Sequence, residues 1–103
     1  MTAMMYAPFP DRDSAREIAA VLLEEKLIAC ANILGEVESL FSWEGELDSA
    51  VEVGVLFKTD KTILDRATKR LGELHPYDTP AVLGWDCSFA APATMNWLAG
   101  LQA

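Results

Sequence analysis

The segment Leu74-His75-Pro76-Tyr77-Asp78-Thr79-Pro80-Ala81-Val82 decides how the chain is organised. Proline fixes φ and pushes the residue before it toward extended backbone, so Pro76 and Pro80 bias His75 and Thr79 away from helix. A helix upstream must stop near Leu74, and a stiff turn must carry His75, Tyr77 and Asp78 into a following strand. The single histidine of the chain lies in this turn. A polar and aromatic turn of this density is a natural binding surface.

Working outward, residues 60/61–74 read as a helix. Ile63, Leu64, Ala67, Leu71 and Leu74 form an apolar stripe, while Asp65, Arg66, Lys69, Arg70 and Glu73 remain for solvent. Before it, Val51, Val53, Val55 and Phe57 alternate along a strand at 51–59, with Glu52, Gly54 and Leu56 on the other side. Residues 28–34 are small and apolar up to a break at Gly35, and 37–43 continue with Val37, Leu40, Phe41 and Trp43. Glu44-Gly45, or the nearby Glu46-Leu47-Asp48-Ser49, turns the chain into a long, bent hairpin.

Nearer the amino end, Asp11 or Asp13 caps a helix with Ala15, Ile18, Ala19, Leu22 and Leu23 as its buried stripe. Residues 3–7 form a short buried strand ended by Pro8. Downstream, 79–85 supply another strand. Pro92 then starts a terminal helix anchored by Met95, Trp97 and Leu98, and Gly100 ends it. The order β-α-β-β-α-β plus a terminal helix predicts an α+β domain spanning 1–103, a split βαβ with its two main helices on one face of an antiparallel sheet.

Composition narrows the function. The chain has 103 residues, 51% of them hydrophobic, which suits one domain with apolar surface to spare for another subunit. A net charge of −8 without a lysine or arginine run excludes the positive field that phosphate backbones and anionic membranes need. Cations or a basic partner are attracted instead. The two cysteines, Cys30 and Cys87, build neither a disulfide-rich scaffold nor a zinc finger. One disulfide between them stays open, with reduced thiols in the cytosol the preferred reading. The first cationic side chain is Arg12 and no apolar run spans a bilayer, so the expected location is cytoplasmic.

Several side chains carry candidate chemistry. Cys30 and His75 offer thiolate and imidazole, good ligands for copper or zinc, though only folding or a subunit interface brings them together. Beside this stands a plainer reading, with Cys30 a small buried hydrophobe and His75 bonded within its turn. Asp78 is placed to orient His75 or, equally, to bond a turn amide. Glu52 and Lys58 share one strand face, either at a pocket rim or as an exposed pair on an edge strand. Among the three tryptophans, Trp43 at the hairpin end is the strongest interface candidate, and Trp97 is expected in the core. No P-loop, GxGxxG, HExxH or GxSxG pattern occurs.

Read in order, Leu27-Ile28-Ala29-Cys30-Ala31-Asn32-Ile33, Ser39-Leu40-Phe41-Ser42-Trp43-Glu44-Gly45, Glu52 with Lys58-Thr59, and residues 74–80 resemble the CutA family, the divalent-cation tolerance proteins. The resemblance implies a ferredoxin-like domain in a homotrimer of PII-like architecture, without an established catalytic reaction or organic cofactor. It implies Cys30 and His75 as ligands for copper or another divalent metal. Trp43, Glu52, Lys58 and Tyr77, with Asp78 beside them in the turn, then belong to a cleft between subunits. Tyr6-Ala7-Pro8 lacks a cysteine that some members carry, and the end of the chain from Trp85 matches loosely, leaving Cys87 without a family role. The resulting expectation is a trimeric, non-enzymatic protein that binds divalent metal, or else a PII-like binder of a small ligand or partner. An enzyme using His75 is the least favoured alternative.

Overall fold

Two strands form the centre of the sheet: β1 (Thr2–Phe9) and β3 (Glu46–Asp60). The computed structural model describes residues 1–102 and places β2 (Cys30–Trp43) outside β3 and β4 (Leu83–Asp86) outside β1. All neighbours are antiparallel, in the order β2-β3-β1-β4. Each βαβ unit therefore holds a strand of the other between its own two strands, which is the ferredoxin-like arrangement.

Side chains alternate across a strand, so Met5, Ala7 and Phe9 of β1 and Val53, Val55 and Phe57 of β3 share one face. That face packs against α1 (Arg12–Glu24) through Ala15, Ile18, Ala19 and Leu22, and against α2 (Leu64–Leu74) through Ala67 and Leu71. Burying each large side chain here contributes about 1.5–3 kcal/mol. Leu23, expected in the α1 stripe, is 44% exposed, because one residue beyond Leu22 is a 100° turn away from the sheet. Asp11 caps α1, its Oδ1 accepting from the Ser14 N–H at 2.7 Å. At the other end of α1, Glu25 accepts a two-pronged bond from Arg70 of α2, at 2.9 and 2.8 Å, joining the helices on their outer side.

The second helix begins as a 3-10 turn, Lys61–Ile63, capped by Asp60, which accepts from the Thr62 N–H and hydroxyl. It stops at Leu74, and His75 takes extended backbone ahead of Pro76, as expected. The strands differ from expectation at two prolines. β1 runs through Pro8 to Phe9, because β4 pairs only with Ala3–Tyr6 and leaves one side of β1 open there. A proline is tolerated where no ladder donor is needed. β4 in turn starts at Leu83 rather than near Thr79, since continuing its register would set Ala81 against Pro8 and bring Pro80 into the ladder.

The hairpin of β2 and β3 is continuous, and its turn is Glu44-Gly45. Both residues have positive φ, 52° and 82°, the pattern of the tight turn whose twist matches paired strands. Near the base of β2 the register shifts between Ile33 and Gly35, leaving Leu34 as an extra residue. This bulge reverses the alternation. Ala31 and Ile33 face the helices, whereas Val37, Ser39, Phe41 and Trp43 face the opposite, open side of the sheet.

Beyond Val53 no β1 partner covers β3, so residues 36–52 project as a two-stranded arm and the molecule reaches 44 Å in its long dimension. The terminal helix α3 (Pro92–Ala99) lies against β1 and β3 with Leu98 buried. Trp97, expected in the core, is 51% exposed; Leu98 takes the anchoring role. Cys30 and Cys87 are free thiols.

Candidate functional site: a cleft between the histidine turn and the hairpin arm

The proline-bounded turn closes against the uncovered end of β1. The His75 ring stacks on Phe9, with centroids 4.6 Å apart and planes 22° from parallel, and meets Tyr77 at 4.7 Å. The Tyr77 N–H donates to His75 Nδ1 at 3.2 Å, so Nε2 carries the proton and donates to the Pro8 carbonyl at 2.7 Å. The histidine thereby supplies the bond that an absent strand would have made to Pro8. Both ring nitrogens are occupied, and the side chain is buried.

That packing fixes Tyr77. Its hydroxyl donates to Glu52 Oε2 at 2.7 Å. Burial first, then the bond to the Glu52 carboxylate and its charge, push the phenol up to about 12. Glu52 itself is only 8% exposed, on the open face of β3 opposite Val37. Next along that face comes Gly54, where a Cβ would stand 2.8 Å from the Tyr6 hydroxyl oxygen, so only glycine lets the Tyr6 ring lie across β3.

Above Glu52 lies a cavity of about 430 Å³, lined among others by Phe41 and Trp43 from β2, Ser39 beside them, and Tyr77 and Thr79 from the turn. Within one chain Tyr77, Glu52 and Trp43 of the expected cleft line one cavity, and His75, expected as a metal ligand with Cys30, packs against Tyr77. Phe41, Ser39 and Thr79 were not anticipated. The signal for the first two was Gly35, whose break in the apolar run marks the bulge that turns them toward Glu52.

The other anticipated residues do not line this cavity within one chain. Asp78 is exposed and does not orient His75, because the Tyr77 N–H and the Pro8 carbonyl already take both ring nitrogens. Lys58 shares the open face with Glu52 but lies six residues along β3, about 20 Å at 3.4 Å per residue. Their alternative as an exposed edge pair also fails, since β3 is an inner strand and Glu52 is buried. Cys30 pairs across the ladder with Lys58, and its Sγ reaches Asn32 Oδ1 at 3.6 Å. His75 sits at Pro8, opposite Gly54, so about 14 Å of strand plus the spacing between strands separates it from Cys30. Among the described residues, no group of three or more His, Cys, Asp or Glu side chains is placed to hold a metal ion.

A family model described as CutA1 divalent ion tolerance protein matches residues 3–100. The chain belongs to the CutA1 family. It is similar to the divalent-cation tolerance protein CutA of Pyrococcus horikoshii, 39% identical over 92% of each chain. Among solved structures, CutA1 from Ehrlichia chaffeensis superimposes with a TM-score of 0.91 at 34% identity, covering 99% of this chain and 95% of that one. The protein of Archaeoglobus fulgidus, named a periplasmic divalent cation tolerance protein CutA, gives 0.91 at 29% identity over 98% of each chain. An Arabidopsis thaliana relative named chloroplastic is 30% identical over 92% of this chain and 52% of its own length. CutA1 relatives thus carry names from different compartments. In this chain no described helix is long and apolar enough to cross a membrane.

Proposed function

We propose that this CutA1 protein acts as a homotrimer in the cytoplasm and confers tolerance to divalent cations by binding them, copper above all, at clefts between subunits. The observation that carries the reading is the uncovered arm. Leu40, Trp43, Leu47 and Val51 are 77%, 57%, 90% and 63% exposed on a two-stranded ribbon that this chain leaves unsupported. An isolated hairpin is marginal in water, and its free edges invite pairing with another copy. Closed three-fold assembly covers those edges without unlimited growth. It also sets each cleft of Glu52, Tyr77 and Trp43 beside a neighbouring chain.

Metal as cargo is supported by the family's name and by the acidic charge of −8. Cys30 and His75 remain the proposed ligand pair, completed across a seam because one chain holds them apart. For His75 to ligate, an Nδ1 or Nε2 bond must open, and deprotonated thiol makes affinity fall in acid. The reading is of a binding protein, with no reaction assigned. Copper titration of the wild type, Cys30→Ser, His75→Gln and the double variant tests it, together with sedimentation. Lowered stoichiometry in the single variants supports the pair. Unchanged stoichiometry and affinity in the double variant removes both residues, and a monomeric wild type removes the seam.

A second reading rests on the cleft itself. Its walls are aromatic and its one charged group is Glu52, which suits a small ligand, as in a PII-like binder, better than a bare ion.

A further inference from the structure

The cavity over Glu52 has a chemistry that specifies its occupant. Glu52 is a carboxylate, more than nine-tenths buried, and one of its oxygens accepts from Tyr77. Among the described residues no hydrogen bond reaches Oε1 and no lysine or arginine pairs with the group, and none lines this cavity. Arg12 lines a separate cavity that Glu52 also borders, but among the described residues it makes no ion pair with Glu52, so a cation delivered to the carboxylate gains a charge-assisted bond. The walls are the rings of Phe41, Trp43 and Tyr77, whose faces attract cations. An anion finds no positive partner there. Among the described residues no group of three or more His, Cys, Asp or Glu side chains gathers here for a divalent metal. The volume of about 430 Å³ suits a small molecule.

We infer that this cleft binds a small organic cation, a primary ammonium group on a short apolar or aromatic body. The ammonium bonds Glu52 Oε1, and the body lies against Trp43 and Phe41. The inference rests on the reading of the cleft as the binding site, but it needs neither copper nor Cys30. Tyr77 holds Oε2, which leaves Oε1 as the oxygen to meet the ammonium. The −8 charge of the chain favours approach of cations from solution.

The test uses the full chain and three probes of one shape: 2-phenylethylamine, neutral 2-phenylethanol and anionic 3-phenylpropionate. Binding is followed by saturation-transfer NMR near neutral pH at fixed ionic strength. The ammonium is expected to bind saturably and about tenfold or more tighter than the alcohol, with the propionate silent. Glu52→Gln, which keeps an acceptor for Tyr77, should bring ammonium and alcohol to within about threefold of each other. Because Glu52 is buried, Trp43→Leu on the exposed arm serves as a second variant and should weaken the ammonium without unfolding the chain. Equal binding of ammonium and alcohol overturns the inference, as does an ammonium preference that survives Glu52→Gln. No saturable binding, as when a neighbouring copy fills the cavity, overturns it too. A copper titration on the same samples separates the two readings. Copper binding without ammonium preference sinks this inference alone, and ammonium preference without copper binding sinks only the metal proposal.

Discussion

The two halves of β3 follow one alternating rule and meet opposite fates. From Val53 to Phe57 the odd-numbered side chains lie under α1 and α2 and are buried. At Leu47 and Val51 the alternation continues, yet those side chains are exposed at 90% and 63%. The difference is what lies alongside. β1 and the helices end near Val53, so the arm has a partner strand but no cover. Periodicity sets which face an apolar residue takes, and the reach of neighbouring elements sets whether that face stays dry. The cleft forms at the junction, where Glu52 is the last strongly buried residue of β3 before the arm.

The sharpest way to break this comparison is to cut each half. Phe57 is fully buried and meets Phe9 edge-on at 6.3 Å. Phe57→Ala should lose about 3–5 kcal/mol in urea unfolding, a transfer loss plus a cavity. A loss below 1 kcal/mol, on the order of a surface change, would mean the packed half is not where stability resides.

His75→Ala comes next. It removes the stack on Phe9 and the bonds to Pro8 and Tyr77, and should cost about 2–3 kcal/mol. It should also free Tyr77, so near-ultraviolet circular dichroism should change beyond what lost stability explains. An unchanged tyrosine signal would separate the turn from the cleft.

Much of this was legible in the sequence because local rules and tertiary packing agree there. The stop at Leu74, the Asp11 cap and the alternation of Val53, Val55 and Phe57 are short-range effects, and the structure keeps them. The grouping of Tyr77, Glu52 and Trp43 was readable only through the family resemblance, which set His75 apart with Cys30. What escaped depends on register. Leu34 bulges and moves Phe41 to the open face, a one-residue slip whose place Gly35 marks but whose effect on facing depends on the pairing with β3. Trp97 went to the surface because Leu98, not its neighbour, faces β1 and β3. Cys30 and His75 lie at different places along the ladder, a separation fixed by pairing partners far away in sequence.

Tyr77→Phe is a smaller cut, expected to cost about 1 kcal/mol near neutral pH through the lost bond to Glu52. Its signature is in alkali. The Tyr77 phenol is raised to about 12, above the value of about 10 expected for the unfolded chain. Between those values the unfolded chain gives up a proton that the fold retains. The contribution is therefore complete below about pH 10 and falls as pH rises toward 12. Unfolding free energy measured across that window should decline less steeply in Tyr77→Phe than in wild type. Equal slopes would place the raised phenol elsewhere.

The arm itself should give the smallest effect on the subunit and the clearest effect on assembly. Leu47 is 90% exposed, so Leu47→Lys removes almost no contact within the chain and should alter subunit stability by no more than about 0.5 kcal/mol. If the arm is covered by another copy, the same change places a charge in that seam. The assembled species should then shift toward monomer in sedimentation at equal concentration. Wild-type unfolding should depend on protein concentration, because association favours the folded chain, and the variant should lose that dependence. A core substitution such as Phe57→Ala predicts the reverse pattern, lowered stability with the concentration dependence kept. Should Leu47→Lys behave like Phe57→Ala, the arm would be part of the fold's own core. Should it leave both measurements untouched, Leu47 would lie outside the interface, and the seam would have to run over Leu40, Trp43 or Val51 instead.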